Sequence, residues 1–494
     1  VQSSVVFYTL VLPVMAFRHC ALIVVLGTGL LVSCSLTTYA HEPCASNADC
    51  RAAFGLGSTC SADGLCSPTE QNPRCTRTYP TDLFTRPLRY TDSIVLGAIV
   101  NESDPSDLVA ENAIELAVKQ VNDFDGVDGR PFGVVFCTNQ LNSALDTATE
   151  EEATAALGTY LTNDLGVPAI LGPSTSSQAA ALHAAVAPLG TLMISHSATS
   201  TALTQLDGTR DLFWRTCAPD SEQGAAIADD LTARGVSTVA VIFEEGPYGT
   251  GLTDVFTAAF SGTATRFPFE LGNTTARDSQ AMAVATRASE FSEILFISSN
   301  FSDTQQFLSF AASFAGLSTM QFFLTDTAAA SRTEFLSDTV AAPLFPRIRG
   351  SMPAHAAGDV YAAFEGAYTA RFTAAPDVES YAPYAYDAAW LAFASAVWSL
   401  QLSGSIRGAD MADGLEHVSD LTAAPPPVAL LPGSWQALST ELAAGRDVNV
   451  NGASGTLDFD PITHETSGPV EIWTISAAVT PPVLVVDHIF PRGP

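Results

Sequence analysis

Lysine is almost missing from this 494-residue chain. Lys119 is the sole one, and Lys and Arg together number 21 against 52 Asp and Glu, a net charge of −31. That balance excludes nucleic acid as a partner, because phosphate binding needs a cationic face. The acidity reads as a solvated surface. Other absences narrow the chemistry. There is no HExxH pair and no GxSxG elbow, and Gly249-Thr250-Gly251 lacks the rest of a dinucleotide fingerprint. The histidines, among them His183, His355, His417 and His464, are isolated. His196 follows Ser195, but adjacency in sequence does not build a nucleophile and its base. CxxC and Cys/His ligand spacings are also missing. The expectation is a binding protein and not an enzyme, with no cofactor and no metal.

The N-terminal apolar region lacks the roughly 20 unbroken residues that a membrane span needs. Pro13, Arg18 and His19 interrupt it. What remains has the layout of a cleaved signal: Met15-Ala16-Phe17-Arg18-His19 as a basic n-region, 20–31 as an apolar h-region, and Leu31-Val32-Ser33-Cys34 as a lipobox. Residues 1–34 are therefore expected to be a lipoprotein signal peptide, with Met15 the true start and Cys34 the acylated first residue of the mature chain. The expected location is the bacterial cell envelope, lipid-anchored and facing the periplasm. By similarity to Gram-negative lipoproteins, Ser35, which is not the Asp that retains them at the inner membrane, points to the outer one.

Residues 35–90 read as a cysteine-rich tether and linker. Cys44, Cys50, Cys60 and Cys66 sit among Gly, Ser, Asn and Asp, so an exported chain would staple them as disulfides, in any of three pairings. Setting aside Cys20 and Cys34 leaves seven of the nine cysteines, so one thiol is free or bonds outside the chain; Cys75, Cys137 and Cys217 are the candidates. Residues 76–90, with Pro80 and Pro87, read as an extended linker.

From Ser93 onward apolar runs alternate with helical periodicity. Strands are expected at 94–99, 134–136, 169–171 and 192–194, and Ile114, Ala117, Val118 and Val121 share one helix face. A helix is expected at 146–165. The pattern repeats with strands at 239–243, 294–297 and 321–324 and helices at 223–234, 251–260, 278–290 and 303–314. Such alternation predicts mainly parallel sheets flanked by helices. Residues 421–451, with Pro425-Pro426-Pro427 and Trp435, are expected to pack on the surface.

Hydroxyl-rich loops follow two of these strands, Ser174-Thr175-Ser176-Ser177 and 195–201. In open α/β sheets ligands sit at such strand ends, where loop hydroxyls and helix N-terminal amides converge. Taken singly, Ser176 and Ser177 fit helix capping as well as ligand contact, and Ser197-Ala198-Thr199 fits ordinary turn chemistry.

Six motifs in order, ENAIELAVKQVNDFDGVDGRPF (111–132), AILGPSTSSQAAALHAAVAPLGTLMISHSATST (169–201), FWRTCAPDSEQG (213–224), VAVIFEEGPYGTGL (239–252), YAYDAAWLAFASA (384–396) and GASGTLDFD (452–460), resemble the type I periplasmic solute-binding proteins, in particular the branched-chain amino-acid binders and their receptor-domain relatives. The resemblance implies a two-lobed α/β fold, each lobe a mainly parallel sheet flanked by helices, joined by three crossovers. Residues 91–216 plus 350–455 would form lobe 1 and residues 217–349 plus 456–494 lobe 2. It also implies a small polar ligand, an amino acid or related zwitterion or anion, handed to an ABC-type permease or a sensor. By the same resemblance Ser176, Ser197, Ala198 and Thr199, with Ser177 beside them, hold the ligand carboxylate. Tyr248 closes over the ligand or simply packs on lobe 2, and Asn300 or Phe301 stands for a further aromatic. Asp326 pairs the ligand ammonium, although Leu324-Thr325-Asp326-Thr327 departs from the glycine-rich context usual there. The alternative implied by the same fold is an outer-membrane lipoprotein that serves as a protein-binding scaffold or activator of cell-envelope enzymes.

Overall fold

The computed structural model describes residues 43–141, 148–204, 206, 212–354, 357–376, 381–419 and 427–491. Met15, the lipobox with Cys34, the start of the expected helix at 146, His355 and Pro425-Pro426 lie outside them.

In the cysteine-rich segment Ser46 and Asp49 cap helix Asn47–Phe54 reciprocally. Strands β1 (Ser58–Cys60) and β2 (Cys66–Pro68) pair antiparallel. Disulfides Cys44–Cys60 and Cys50–Cys66 staple the unit. It is not a free tether. Asn47 Nδ2 donates to Asn163 O at 2.9 Å and Arg51 Nη1 to Asp164 O at 3.2 Å. Gly166 makes the approach feasible, since its φ is +68° and a Cβ there would lie 2.1 Å from the Arg51 guanidinium.

The expected linker at 76–90 is also corrected. Strand β3 (Arg77–Tyr79) joins the first sheet at its edge, antiparallel to residues 134–136. Thr78 and Tyr79 favour extended backbone, and Pro80 comes after the paired residues and so costs no ladder bond. Arg77 reaches Glu111 at 2.5 Å, Asn112 at 2.9 Å and Glu115 at 2.7 Å. A third disulfide, Cys75–Cys137, ties the approach to this edge, and Cys217 is a buried free thiol.

β4 (Ile94–Val100), β5 (Phe132–Thr138), β6 (Ala169–Leu171), β7 (Leu192–Ser195) and β8 (Phe213–Arg215) complete a six-stranded sheet in the order β3-β5-β4-β6-β7-β8, parallel but for β3. Every residue of β4 is buried, which is why its sequence, IVLGAIV, is continuously apolar and not alternating. Helices Pro105–Asn122 and Ala382–Ser403 cover one face; Glu150–Thr159 and Ser176–Val186 cover the other.

The second sheet contains β9 (Thr238–Glu244), β10 (Thr263–Phe269), β11 (Glu293–Ile297), β12 (Gln321–Leu324) and β13 (Ile348–Pro353). The chain then returns to the first core, where β14 (Val428–Ala429) pairs with β15 (Val450–Asn451). The segment expected on the surface is part of that core. Trp435 is buried and its Nε1 donates to Gly126 O at 2.8 Å, while Leu438 and Leu442 follow it at helical spacing. Leu457 and Phe459 belong to the same core, so the chain reaches the second sheet later than 455, at β16 (Val470–Ser476), and ends on β17 (Val483–Phe490). The order is β10-β9-β11-β12-β13-β16-β17, with β16 and β17 antiparallel. Among the described residues no helix is long and apolar enough to cross a membrane.

Candidate functional site

Both sheets reverse their winding direction next to a central strand, β4 in the first and β9 in the second, and the crevices this leaves open at the carboxyl ends of the strands. Asp104 and Asp107 follow β4, Ser174 to Ser176 follow β6, and Ser197 and Thr199 follow β7. From the second sheet come Tyr248 after β9, Ser299 after β11 and Asp326 after β12. All of these line one cavity of about 70 Å³. A second, of about 450 Å³, shares Asp104, Asp107, Ser174, Thr175, Ser299 and Ser331 with it.

Of the residues expected at the site, Ser176, Ser197, Thr199, Tyr248 and Asp326 meet in the smaller cavity. Three do not. Ala198 is fully buried and its N–H donates to Ser195 Oγ at 3.0 Å. Ser177 lies under the start of helix Pro247–Ala259, 3.6 Å from where a Gly246 Cβ would stand. Asn300 caps helix Phe301–Ser313, accepting from Ser302 N at 2.8 Å, and lines the larger cavity.

Helix capping and ligand-facing positions are divided between neighbours. Thr175, not Ser176, caps helix Ser176–Val186 through Gln178 N. Ser176 Oγ instead accepts from Ser200 N at 3.1 Å, which fixes one hydroxyl loop on the other. The amides ahead of Gln178 have no acceptor within the helix, so this end of the cavity suits an anionic group.

The opposite end is acidic. Asp326 accepts from Tyr248 Oη and Tyr381 Oη, both at 2.7 Å, and from Gln223 Nε2 at 3.1 Å. Tyr381 precedes helix Ala382–Ser403 of the first core, so donors from both lobes converge on one carboxylate. Burial, and then Asp326 itself, holds both phenols above their ordinary range. Asp220, at the start of helix Asp220–Ala233, is fully buried, and no well-aligned hydrogen bond reaches either of its oxygens. Burial pushes its carboxyl up to about 8, and Asp326 adds to the rise while the Thr199 hydroxyl opposes it. The backbone joins the same pair, Asp220 N donating to Thr199 O at 2.8 Å.

Asp104 and Asp107 form a further acidic wall. Asp104 caps helix Pro105–Asn122 through Ser106 N at 2.9 Å, and Asp107 accepts from Asn101 N at 2.6 Å and from Ser174 Oγ. Burial, with Asp104 beside it, raises Asp107 to about 7. Neither cavity has Lys or Arg among its described lining residues. The pairing of Ser195 with His196 is absent: Ser195 Oγ donates to Pro173 O at 2.7 Å, and His196 meets Ser174 Oγ at 3.5 Å. Burial depresses His196 to about 4, so it is neutral there.

Sequence reasoning placed Ser174 and Ser299 only within cleft-facing loops, and missed Asp104, Asp107, Asp220 and Tyr381. Asp220 carried the best signal, because it lies within the FWRTCAPDSEQG motif. Tyr381 stands just ahead of the motif that begins at Tyr384 and carried none.

Comparison with known proteins agrees with this architecture. The receptor family ligand binding region matches residues 109–477. A Leu/Ile/Val-binding protein homolog of Brucella melitensis is 30% identical over 177 residues, 35% of this chain and 45% of that protein. A chemotactic signal transduction substrate-binding protein, BasB, of Halobacterium salinarum is 29% identical over 173 residues, 33% of this chain and 40% of that protein. The chain thus spans less than half the length of the curated relatives it matches. Among solved structures, the branched-chain amino acid transporter substrate-binding protein LivJ of Streptococcus pneumoniae, in complex with isoleucine, superposes with a TM-score of 0.61 at 20% identity, covering 81% of this chain and 100% of that one. A solute-binding protein of Rhodopseudomonas palustris in complex with 4-hydroxybenzoate gives 0.60 at 16% identity, covering 82% and 98%. These two share the fold.

Proposed function

The chain belongs to the receptor family ligand binding region, with its type I periplasmic-binding-protein fold, and from that footing we propose that it is a solute-binding protein that closes its lobes on an α-amino acid or a similar zwitterion. The observation that carries this reading is the buried Asp326 at one end of the cavity, with Asp220 buried behind the lining near enough to feel its charge, and no Lys or Arg among the described residues lining it. The three donors on Asp326 are neutral, so its charge still lacks a counter-ion, and a cation that enters the cleft offsets the cost of burying it on closure. The ligand ammonium is that cation. Its carboxylate then meets the hydroxyls of Ser176 and Thr199 and the first-turn amides of helix Ser176–Val186. A lone carboxylate, as in benzoate-type ligands, would find no cation. The bound ligand is handed to an ABC-type permease or a sensor.

A thermal-shift screen of the soluble chain against the amino acids tests this. A ligand at about a hundredfold its Kd adds about 2.7 kcal/mol of stability. With such a ligand in hand, Thr199→Ala is expected to weaken binding by roughly tenfold to a hundredfold, the worth of one hydrogen bond to a charged group. A screen in which no amino acid shifts the transition would favour the scaffold alternative, an outer-membrane lipoprotein that binds cell-envelope enzymes.

From the lipobox Leu31-Val32-Ser33-Cys34 we also propose that the protein faces the periplasm, held at the membrane through acylated Cys34. Cys34→Ala is expected to move it from the membrane fraction to the soluble one or to leave an uncleaved precursor. Partitioning that stays unchanged would end the lipid-anchor reading.

A further inference from the structure

Arg215, the last residue of β8, is one of the largest fully buried side chains among the described residues and lines neither cleft cavity, yet its hydrogen bonds converge on the ligand loop. Nη1 donates to Ala198 O at 3.0 Å and to Ser200 O at 2.9 Å. Nη2 donates to Thr204 Oγ1 at 3.3 Å and to Glu465 Oε1. Glu465 Oε1 also accepts from Thr204 Oγ1 at 2.7 Å. One guanidinium therefore grips the carbonyls on either side of Thr199, the residue after the loop and the segment that leads to the last crossing.

We infer that Arg215 is the positioning residue of the ligand loop, the fork that aims Thr199 into the cleft and ties that loop to the segment ahead of the third crossover. The inference rests on the reading that loop 197–200 contacts ligand.

The geometry follows from the peptide group. In a planar trans peptide the C=O and N–H point opposite ways. With Ala198 O turned onto the guanidinium, the Thr199 N–H is directed away from it. Thr199 O is taken by Asp220 N, so the position of the buried acid is linked to the same clamp. Nη1 alone serves both carbonyls, while Nη2, fixed in the same plane, holds Thr204 and Glu465; a lysine ammonium is a single point charge that lacks this fork and could not span both sets. Glu465 neutralises the buried cation from a segment outside the loop. A change in the backbone at 465 on lobe closure thus reaches Thr199 through two side chains.

The test uses Arg215→Lys and Glu465→Gln in the full soluble chain. Without ligand, hydrogen exchange at the amides of Ala198, Ser200 and Asp220, which donate to Ser195 Oγ, Ser176 Oγ and Thr199 O, is expected to be at least tenfold faster in Arg215→Lys, with β9 and β11 unchanged. Ligand affinity is expected to fall about tenfold in the wild-type background but less than threefold in a Thr199→Ala background, because residues acting through one another are not additive. Glu465→Gln, which keeps the fork, should show the same pattern more weakly, and it serves if Arg215→Lys does not fold. Loop exchange that matches wild type in a folded variant overturns the inference, and so does full additivity with Thr199→Ala. If wild type binds no amino acid, the proposed function fails, while the exchange measurement still decides the role of Arg215.

Discussion

Asp326→Asn is expected to lower affinity for the amino-acid ligand by at least a hundredfold while leaving the fold in place. Three donors, Tyr248, Tyr381 and Gln223, hold the carboxylate in place. An asparagine keeps the shape and one oxygen for a phenol but removes the charge that an ammonium needs inside a closing cleft. Hydrogen bonds to charged groups are worth about 1.5–3 kcal/mol each, and an ammonium left unpaired adds its desolvation cost. Asp326→Ala should be worse on both counts. It strands the buried hydroxyls of Tyr248 and Tyr381, at about 1–3 kcal/mol for each unsatisfied group. Calorimetric titration with urea denaturation on both variants separates the two losses. Near-normal affinity in Asp326→Asn, with Thr199→Ala inactive, would mean that the ligand is an anion without an ammonium group.

The loops that build this hub were legible in the sequence to different degrees, for physical reasons. Buried parallel strands such as β4 and β9 announce themselves as unbroken apolar runs. β10, TATRFPF, does not, because at the sheet edge Arg266 and Pro268 are tolerated and the run is broken. The Pro-rich run at 425–427 disguised the segment behind it as a loop, although Trp435, Leu438 and Leu442 already had helical spacing. Disulfide pairing depends on three-dimensional approach and was open until Cys44, Cys50, Cys60 and Cys66 were placed. The site shows the same division. Ser176, Thr199 and Tyr248 sit in motifs and Asp326 follows the apolar run of β12, whereas Asp104 caps a helix, so its second face toward the cleft has no signature of its own. Tyr381 reaches Asp326 only because the chain crosses back between the lobes.

Stability of the ligand-free protein is expected to fall as the pH rises from 5 to 8.5, and Asp220 sets much of that slope. In the unfolded chain its carboxyl titrates near 3.8; in the fold it keeps its proton up to about 8. Between those values the folded state binds one more proton than the unfolded state. The free energy of unfolding therefore drops by about 1.4 kcal/mol per pH unit from this group. The contribution is whole below the unfolded value and is lost as the pH climbs through the folded one. Asp107, Glu244 and Asp387, each raised to about 7 by burial, act with the same sign. Three donors on Glu244 and three on Asp387 favour their charged forms, whereas on Asp220 only the poorly aligned Thr199 hydroxyl does so. The strongly negative net charge also disfavours the compact state at high pH, so the comparison that isolates Asp220 is Asp220→Asn. Urea midpoints of that variant should depend less on pH than those of wild type over this range. Ligand should flatten the wild-type curve as well, because an ammonium beside Asp220 replaces the proton and releases it to buffer. Calorimetry in buffers of different ionisation enthalpy would detect that proton at pH 7 in wild type and not in Asp220→Asn. Equal pH slopes in the two proteins would mean that Asp220 is already ionised in the empty cleft and has no proton for the ligand to displace.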